Sequence, residues 1–188
     1  ELVNVDSVAF TPFVKLLSSD KVKTCFSKVS IITDDDRCTK KNEEDYIDKN
    51  FDYDDISSTV VVNLQNGKPS DRCNDLTALC TGAGINIFTA LCCSEDNVYH
   101  MIEALKTCYT DLGPKLETKV ESLSQLSEKA ACVWLFIRTR DKCKGAVAQY
   151  ISQVINDQHE LRKKGEHIQR EFIIPDYLKN AIYSVTEQ

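Results

Sequence analysis

The sequence predicts an α/β fold: a mostly parallel sheet flanked by helices, with a helical insertion. Three observations predict it. An apolar run over 29–32 stops abruptly at Thr33-Asp34-Asp35-Asp36, as a buried parallel strand does when it delivers acidic side chains to its carboxyl end. A second short run, Ile85-Asn86-Ile87-Phe88, follows the break Gly82-Ala83-Gly84 and leads again to a carboxylate, Glu95. From about 96 to 158 the character is helical: Val98, Met101, Ile102, Leu105 and Tyr109 recur at three and four.

Taken in order, residues 2–5 read as a strand. Phe10-Thr11-Pro12-Phe13 reads as a helix start, with Pro12 in the first turn and apolar residues continuing to Leu17. The strand at 28–33 comes next. Residues 36–58 are polar and heavily charged, the signature of a solvated loop or short exposed helix. Thr59-Val60-Val61-Val62 is β-branched and short enough for a strand, and Asn66-Gly67-Lys68-Pro69 is a turn signal. Gly113-Pro114 divides the long helical stretch. Val147, Ala148, Ile151, Val154 and Ile155 make a further amphipathic helix, and residues 156–171 are charged. Phe172-Ile173-Ile174 is a short extended run, and Pro175 opens a last helix over 176–185. The domain organisation expected is a partial core over 1–95, a helical insertion over 96–140, and a C-terminal part over 141–188 that returns to the core.

At 188 residues and 42% hydrophobic content, the chain is long enough to bury one substantial core. No apolar run approaches the roughly 18 residues of a membrane span. The net charge of -6 argues against a broad nucleic-acid-binding surface, so any basic track for DNA must be local or lie elsewhere in the full protein. Nine cysteines, an odd number, form no paired CxxC motifs and no Cys/His zinc spacing. They read as reduced thiols in the core of a cytoplasmic protein. The chain opens at Glu1 in what already looks like a strand, so it is expected to be a fragment whose N-terminal part is missing.

Asp34 and Asp36 are two apart, so in an extended segment they point the same way. Carboxylates held that close need a hard cation such as Mg²⁺ or a raised pKa to coexist. The competing reading makes one of them the N-cap of a following helix. Glu95 follows a short apolar run as Asp34 does, and its ordinary reading is a first-turn helix residue favoured by the macrodipole. Lys144 reads on its own as a solvated helix residue with Lys142 close by. His100, His159 and His167 make no metal pair and are expected at the surface, and Trp134 is expected in the core.

Four segments occur together in one order: Asn4-Val5-Asp6-Ser7-Val8-Ala9-Phe10, Ile31-Ile32-Thr33-Asp34-Asp35-Asp36, Lys144-Gly145-Ala146-Val147-Ala148 and Ile173-Ile174-Pro175-Asp176-Tyr177-Leu178-Lys179-Asn180-Ala181-Ile182. In this the chain resembles the C-terminal half of the OLD-family (overcoming lysogenization defect) ATP-dependent endonucleases. Those proteins join an ABC-type ATPase to a Toprim nuclease. The resemblance implies a Toprim-like sheet and DNA cleavage with Mg²⁺ or Mn²⁺. It implies that Asp34 and Asp36 form the metal-binding Asp-x-Asp pair, that Glu95 is a further metal ligand, and that Lys144 neutralises charge at the scissile phosphate. Asp34 and Lys144 are then the catalytic pair, and the partners are DNA, the ATPase domain of the same full-length protein, and a second copy in a homodimer.

Two departures stand out. Cys93-Ser94-Glu95 puts a cysteine where the family carries a hydroxyl residue. The family's first acidic motif, a Glu-Gly step followed by another Glu, has no counterpart, and no P-loop occurs. Two functions follow: a metal-dependent DNA endonuclease of the two-metal type, or a catalytically incomplete module that dimerises or docks on a partner. A phospho-acceptor receiver domain, which also gathers aspartates at strand ends, fits the long helical second half poorly.

Overall fold

In the computed structural model, the residues described are 10–25, 28–34, 37–38, 46, 64, 67–89, 94–138, 140 and 143–186. They form eight helices and two strands. The expected Toprim-like sheet flanked by helices is overturned: the described chain is mostly helical, and its strands make a single two-stranded parallel ladder. Of the other runs read as strands, 2–5 and 59–62 lie outside the described residues. Phe172-Ile173-Ile174 joins no ladder.

The chain divides into two compact units. The first draws on residues 1–40, 68–91 and 174–188. It contains α1 (Thr11–Leu17), α2 (Asp20–Lys23), β1 (Ser30–Thr33), α3 (Asp71–Ala83), β2 (Asn86–Thr89) and α8 (Asp176–Thr186). Pro12 in the first turn of α1 costs nothing there, since that N–H has no intrahelical partner anyway. Ser70 caps α3 by accepting from the Cys73 amide at 3.3 Å. Gly84 ends the helix at φ +68°, a conformation glycine adopts without a Cβ clash, and the next amide, Ile85, returns to the Cys80 carbonyl at 2.9 Å.

β1 and β2 run parallel from Ser30 opposite Asn86 to Thr33 opposite Thr89. Alternation along β1 then sorts the layers. Ile31 is buried with Val14 of α1, Leu76 and Cys80 of α3, and Ile85. Burial of Cys80 raises its thiol pKa, because the thiolate would lose its water. Ser30, one residue along, meets α8 instead: its Oγ lies 2.6 Å from Ser184 Oγ. The Ser184 hydroxyl donates to the Ala181 carbonyl at 2.8 Å, which leaves Ser30 as the donor of the pair. Helices α1 and α3 thus cover one side of the ladder and α8 the other.

The second unit draws on residues 41–67 and 92–173. Its helices are α4 (Glu95–Cys108), α5 (Gly113–Glu121), α6 (Leu126–Arg138) and α7 (Cys143–Lys164). Ser94 caps α4 by accepting from the Asn97 amide at 3.1 Å. The core is aliphatic and aromatic: Leu105, Leu116, Leu135 and Phe136 are wholly buried. Tyr109 sets its ring edge-on to Phe136, with centroids 5.6 Å apart. Lys106 joins α4 to α5, donating to Glu103 at 2.8 Å and to Glu117 at 3.0 Å. These two hydrogen bonds hold its ammonium pKa above the usual lysine value.

Gly165, at φ +72°, ends α7, and the segment that follows runs beside α4. Side chains take the place of a neighbouring strand there. Asn97 accepts from the Ile173 amide and donates to the Ile173 carbonyl, both at 2.8 Å. The Arg170 carbonyl accepts from His100 Nε2 at 3.1 Å and from Gln158 at 3.3 Å. Arg162 of α7 pairs with Glu171. An amide side chain thus satisfies the backbone groups of Ile173 that a ladder would have used.

Candidate functional site

Asp34 follows directly on the last residue of β1, at the carboxyl edge of the parallel ladder. Its side chain is 68% exposed. The capped first turn of α3 brings Arg72 to it. Arg72 Nη2 donates to the Asp34 carbonyl at 3.1 Å and lies 3.7 Å from the Asp34 carboxylate. At that separation and exposure the ion pair is worth at most about 1 kcal/mol. It orients the carboxylate without locking it. Thr33 adds a side-chain hydrogen bond to the same carbonyl at 3.3 Å.

Glu95 is the first residue of α4, where a carboxylate is favoured by the partial positive charge of the unpaired amides. Both of its oxygens accept from Lys129 Nζ of α6 at 3.2 Å. This is the first-turn reading of Glu95, with a tie between two helices added to it. Lys144 is the second residue of α7 and is exposed. Asp36, with Asp35 and Cys93, lies outside the described residues.

Asp34 belongs to the first unit, and Glu95 and Lys144 to the second. Asp34 and Glu95 each have a cationic neighbour of their own, Arg72 and Lys129. Among the described residues, no three His, Cys, Asp or Glu side chains gather around a point that one metal ion would occupy. Asp34 supplies a hard oxygen donor of the kind Mg²⁺ and Mn²⁺ take, but a single donor does not make a site.

Several residues that shape these surroundings carried no sequence signal. Arg72 and Lys129 are separated from their partners by 38 and 34 positions, and no periodicity links them. His100 was expected at the surface and is buried; its Nε2 proton goes to the Arg170 carbonyl, and its ring packs edge-on against Phe172 with centroids 6.2 Å apart. Trp134, expected in the core, is half-buried, with the guanidinium carbon of Arg138 5.0 Å over its ring. Of the thiols described, Cys38, Cys73, Cys80 and Cys132 are buried as expected, whereas Cys25 and Cys108 are exposed. No helix among the described residues is long and apolar enough to cross a membrane. No family model, curated protein or solved structure matches the chain.

Proposed function

We propose that this chain is the DNA-cleaving part of an ATPase-coupled endonuclease of the OLD type, hydrolysing phosphodiester bonds with Mg²⁺ or Mn²⁺. The observation that supports the reading is the position of Asp34: a solvent-open carboxylate one residue past a parallel strand, with the Arg72 guanidinium beside it. The order of the sequence segments that resemble that family supports it.

Phosphodiester hydrolysis needs an oriented nucleophilic water, cations to offset charge on the transferring phosphoryl group, and a stabilised leaving oxygen. Bound divalent metal supplies these when present. Asp34 contributes a hard ligand. Arg72, held beside it, offers a planar guanidinium suited to phosphate oxygens. The resemblance assigns Lys144 to the scissile phosphate as a point charge, and Glu95 and Asp36 to metal.

A second reading has its own observations. The pairing of Asp34 with Arg72 and of Glu95 with Lys129 suits a non-catalytic module that dimerises or docks on a partner. Ile182, Tyr183 and Val185 of α8 are exposed, as a docking face requires. One pair of measurements separates the two. The nuclease reading expects Mn²⁺ to bind by calorimetry and supercoiled plasmid to be cut in a metal-dependent way, with Asp34→Ala losing both. Cleavage that survives Asp34→Ala undamaged removes Asp34 from the site. Neither binding nor cleavage in the unsubstituted protein leaves the docking module.

A further inference from the structure

Among the described residues of the second unit, three polar side chains are buried: Asn97 and His100, one turn apart on α4, and Gln158 on α7. All three give their side-chain hydrogen bonds to the main chain of one short segment, residues 170–173. Asn97 takes both groups of Ile173, accepting from its amide and donating to its carbonyl at 2.8 Å each. His100 and Gln158 both donate to the Arg170 carbonyl, at 3.1 and 3.3 Å. The side chains of the segment are placed differently. Arg170, Glu171 and Ile173 are exposed, and Phe172 is half-buried with its ring edge-on to His100. The Arg170 guanidinium carbon lies 4.1 Å over the Tyr99 ring, and Glu171 pairs with Arg162 in an ion pair half open to water.

A packed core selects its own chain through side chains. Here helix side chains read main-chain N–H and C=O groups, which any residue but proline presents, and one aromatic ring sets the register. Peptide-binding proteins hold their ligands in this manner. Burial makes the three polar side chains dependent on a partner, because an unpaired buried group costs its full desolvation. The segment, by contrast, hides little apolar surface, which puts its release at the low end of local stabilities. At one end of it stands Gly165, whose φ of +72° turns the chain as α7 stops and which suits a hinge. We infer that residues 170–173 are an exchangeable latch, and that the face formed by Asn97, His100 and Gln158 receives the same segment from a second copy of this chain. The occupant is argued from what the face is seen to hold: this sequence, seated by these side chains. Reciprocal exchange keeps every contact named here and changes only the path of the chain at the hinge, the low-cost route to a symmetric dimer. Both readings of Asp34 allow such a dimer, so the inference rests on neither.

A complementation experiment tests it. In the unsubstituted chain the latch closes on its own face, which it meets at an effective concentration on the order of mM, so exchange is masked. Asn97→Leu spoils the face and leaves the segment intact. Ile173→Pro removes the amide from which Asn97 accepts and leaves the face intact. Labelled Asn97→Leu chain titrated with Ile173→Pro chain is expected to show a rise in fluorescence anisotropy and, by light scattering, a heterodimer, because one sound segment meets one sound face. Titration of the same labelled chain with unlabelled Asn97→Leu, or with the Asn97→Leu/Ile173→Pro double variant, is expected to give association at least about tenfold weaker. Circular dichroism melting curves establish that the variants are folded. Folded variants that stay monomeric on mixing overturn the proposal, and so does equal association in the control titrations, which would place the contact elsewhere on the surface. Should either variant fail to fold, hydrogen exchange of the unsubstituted chain decides. The Ile173 amide is expected to exchange ahead of the amides of α4 and α7, and exchange only in step with those helices overturns the latch. None of these measurements involves metal: their failure leaves the nuclease reading standing, and cleavage that survives Asp34→Ala leaves the latch standing.

Discussion

Gly113 shows how a single atom sets the spacing of two helices. It is buried at the start of α5, where the chain has just turned back from α4. A Cβ added there would lie 2.5 Å from Lys106 Cα and 3.0 Å from its amide nitrogen. Both are backbone atoms inside a helix, so neither yields by a rotamer change, and α5 would have to move off α4. Gly113→Ala is therefore expected to destabilise the chain by about 1–3 kcal/mol, the usual range for overpacking, read from urea unfolding. Its neighbour Pro114 adds no strain, since proline is at home in a helix's first turn. The Gly-Pro pair marks a helix boundary in the sequence, but the need for glycine in particular comes from Lys106 backbone seven positions earlier. Asp34 is a parallel case: its place after a strand is legible from the apolar run before it, whereas Arg72 is not. Sequence shows what a residue's neighbours along the chain impose; what is folded against it stays hidden.

Helices declare themselves by caps and periodicity, strands by their partners. The starts of α5 and α8 are legible in the sequence from Gly113-Pro114 and Pro175, and that of α4 to within a residue from periodicity, while its cap, Ser94, emerges only from the fold. The strands at Ser30–Thr33 and Asn86–Thr89 were also legible, each as a short apolar run. The reading went wrong in extending two strands to a broad sheet and in overlooking α3 between them. A short apolar run says only that a segment is buried or extended; whether a ladder, or an amide side chain such as Asn97, satisfies its backbone is settled by a residue 76 positions away. The α4–α5 pair also carries a pH signature. Lys106 donates to Glu103 and Glu117, and its pKa in the folded chain stands above its ordinary value of 10.5. A raised folded pKa gives stability that is complete below the unfolded pKa and is lost as pH rises through the folded one. The melting temperature of the unsubstituted chain should exceed that of Lys106→Met by a constant margin up to about pH 9, a unit or more below the unfolded lysine pKa. That margin should shrink above pH 10.5 as deprotonation proceeds. A margin that is flat through this window would show that the two hydrogen bonds contribute nothing.

At the scale of the whole molecule, the cysteines map what folding hides. Each unit has its own core, and thiols serve both: Cys73 and Cys80 on α3 in the first, Cys132 on α6 in the second. A buried thiol is protected twice. Reagent cannot reach it, and burial disfavours the thiolate that would react, as at Cys80. Cys25 and Cys108 are exposed and have neither protection. Brief iodoacetamide treatment of the native chain, followed by peptide mass spectrometry, should therefore label Cys25 and Cys108 while sparing Cys73, Cys80 and Cys132. In urea all five should label alike. The first unit is built around a parallel ladder whose partner strands are separated by more than fifty residues, and long-range pairing of that kind is slow to form. In the second, α6, which carries Cys132, packs on α5, its neighbour in sequence, and on α4 one helix earlier. Labelling at increasing times of refolding should thus protect Cys132 before Cys73 and Cys80. Simultaneous protection of all three would mean that the two cores form as one cooperative structure rather than each at the pace its own topology sets.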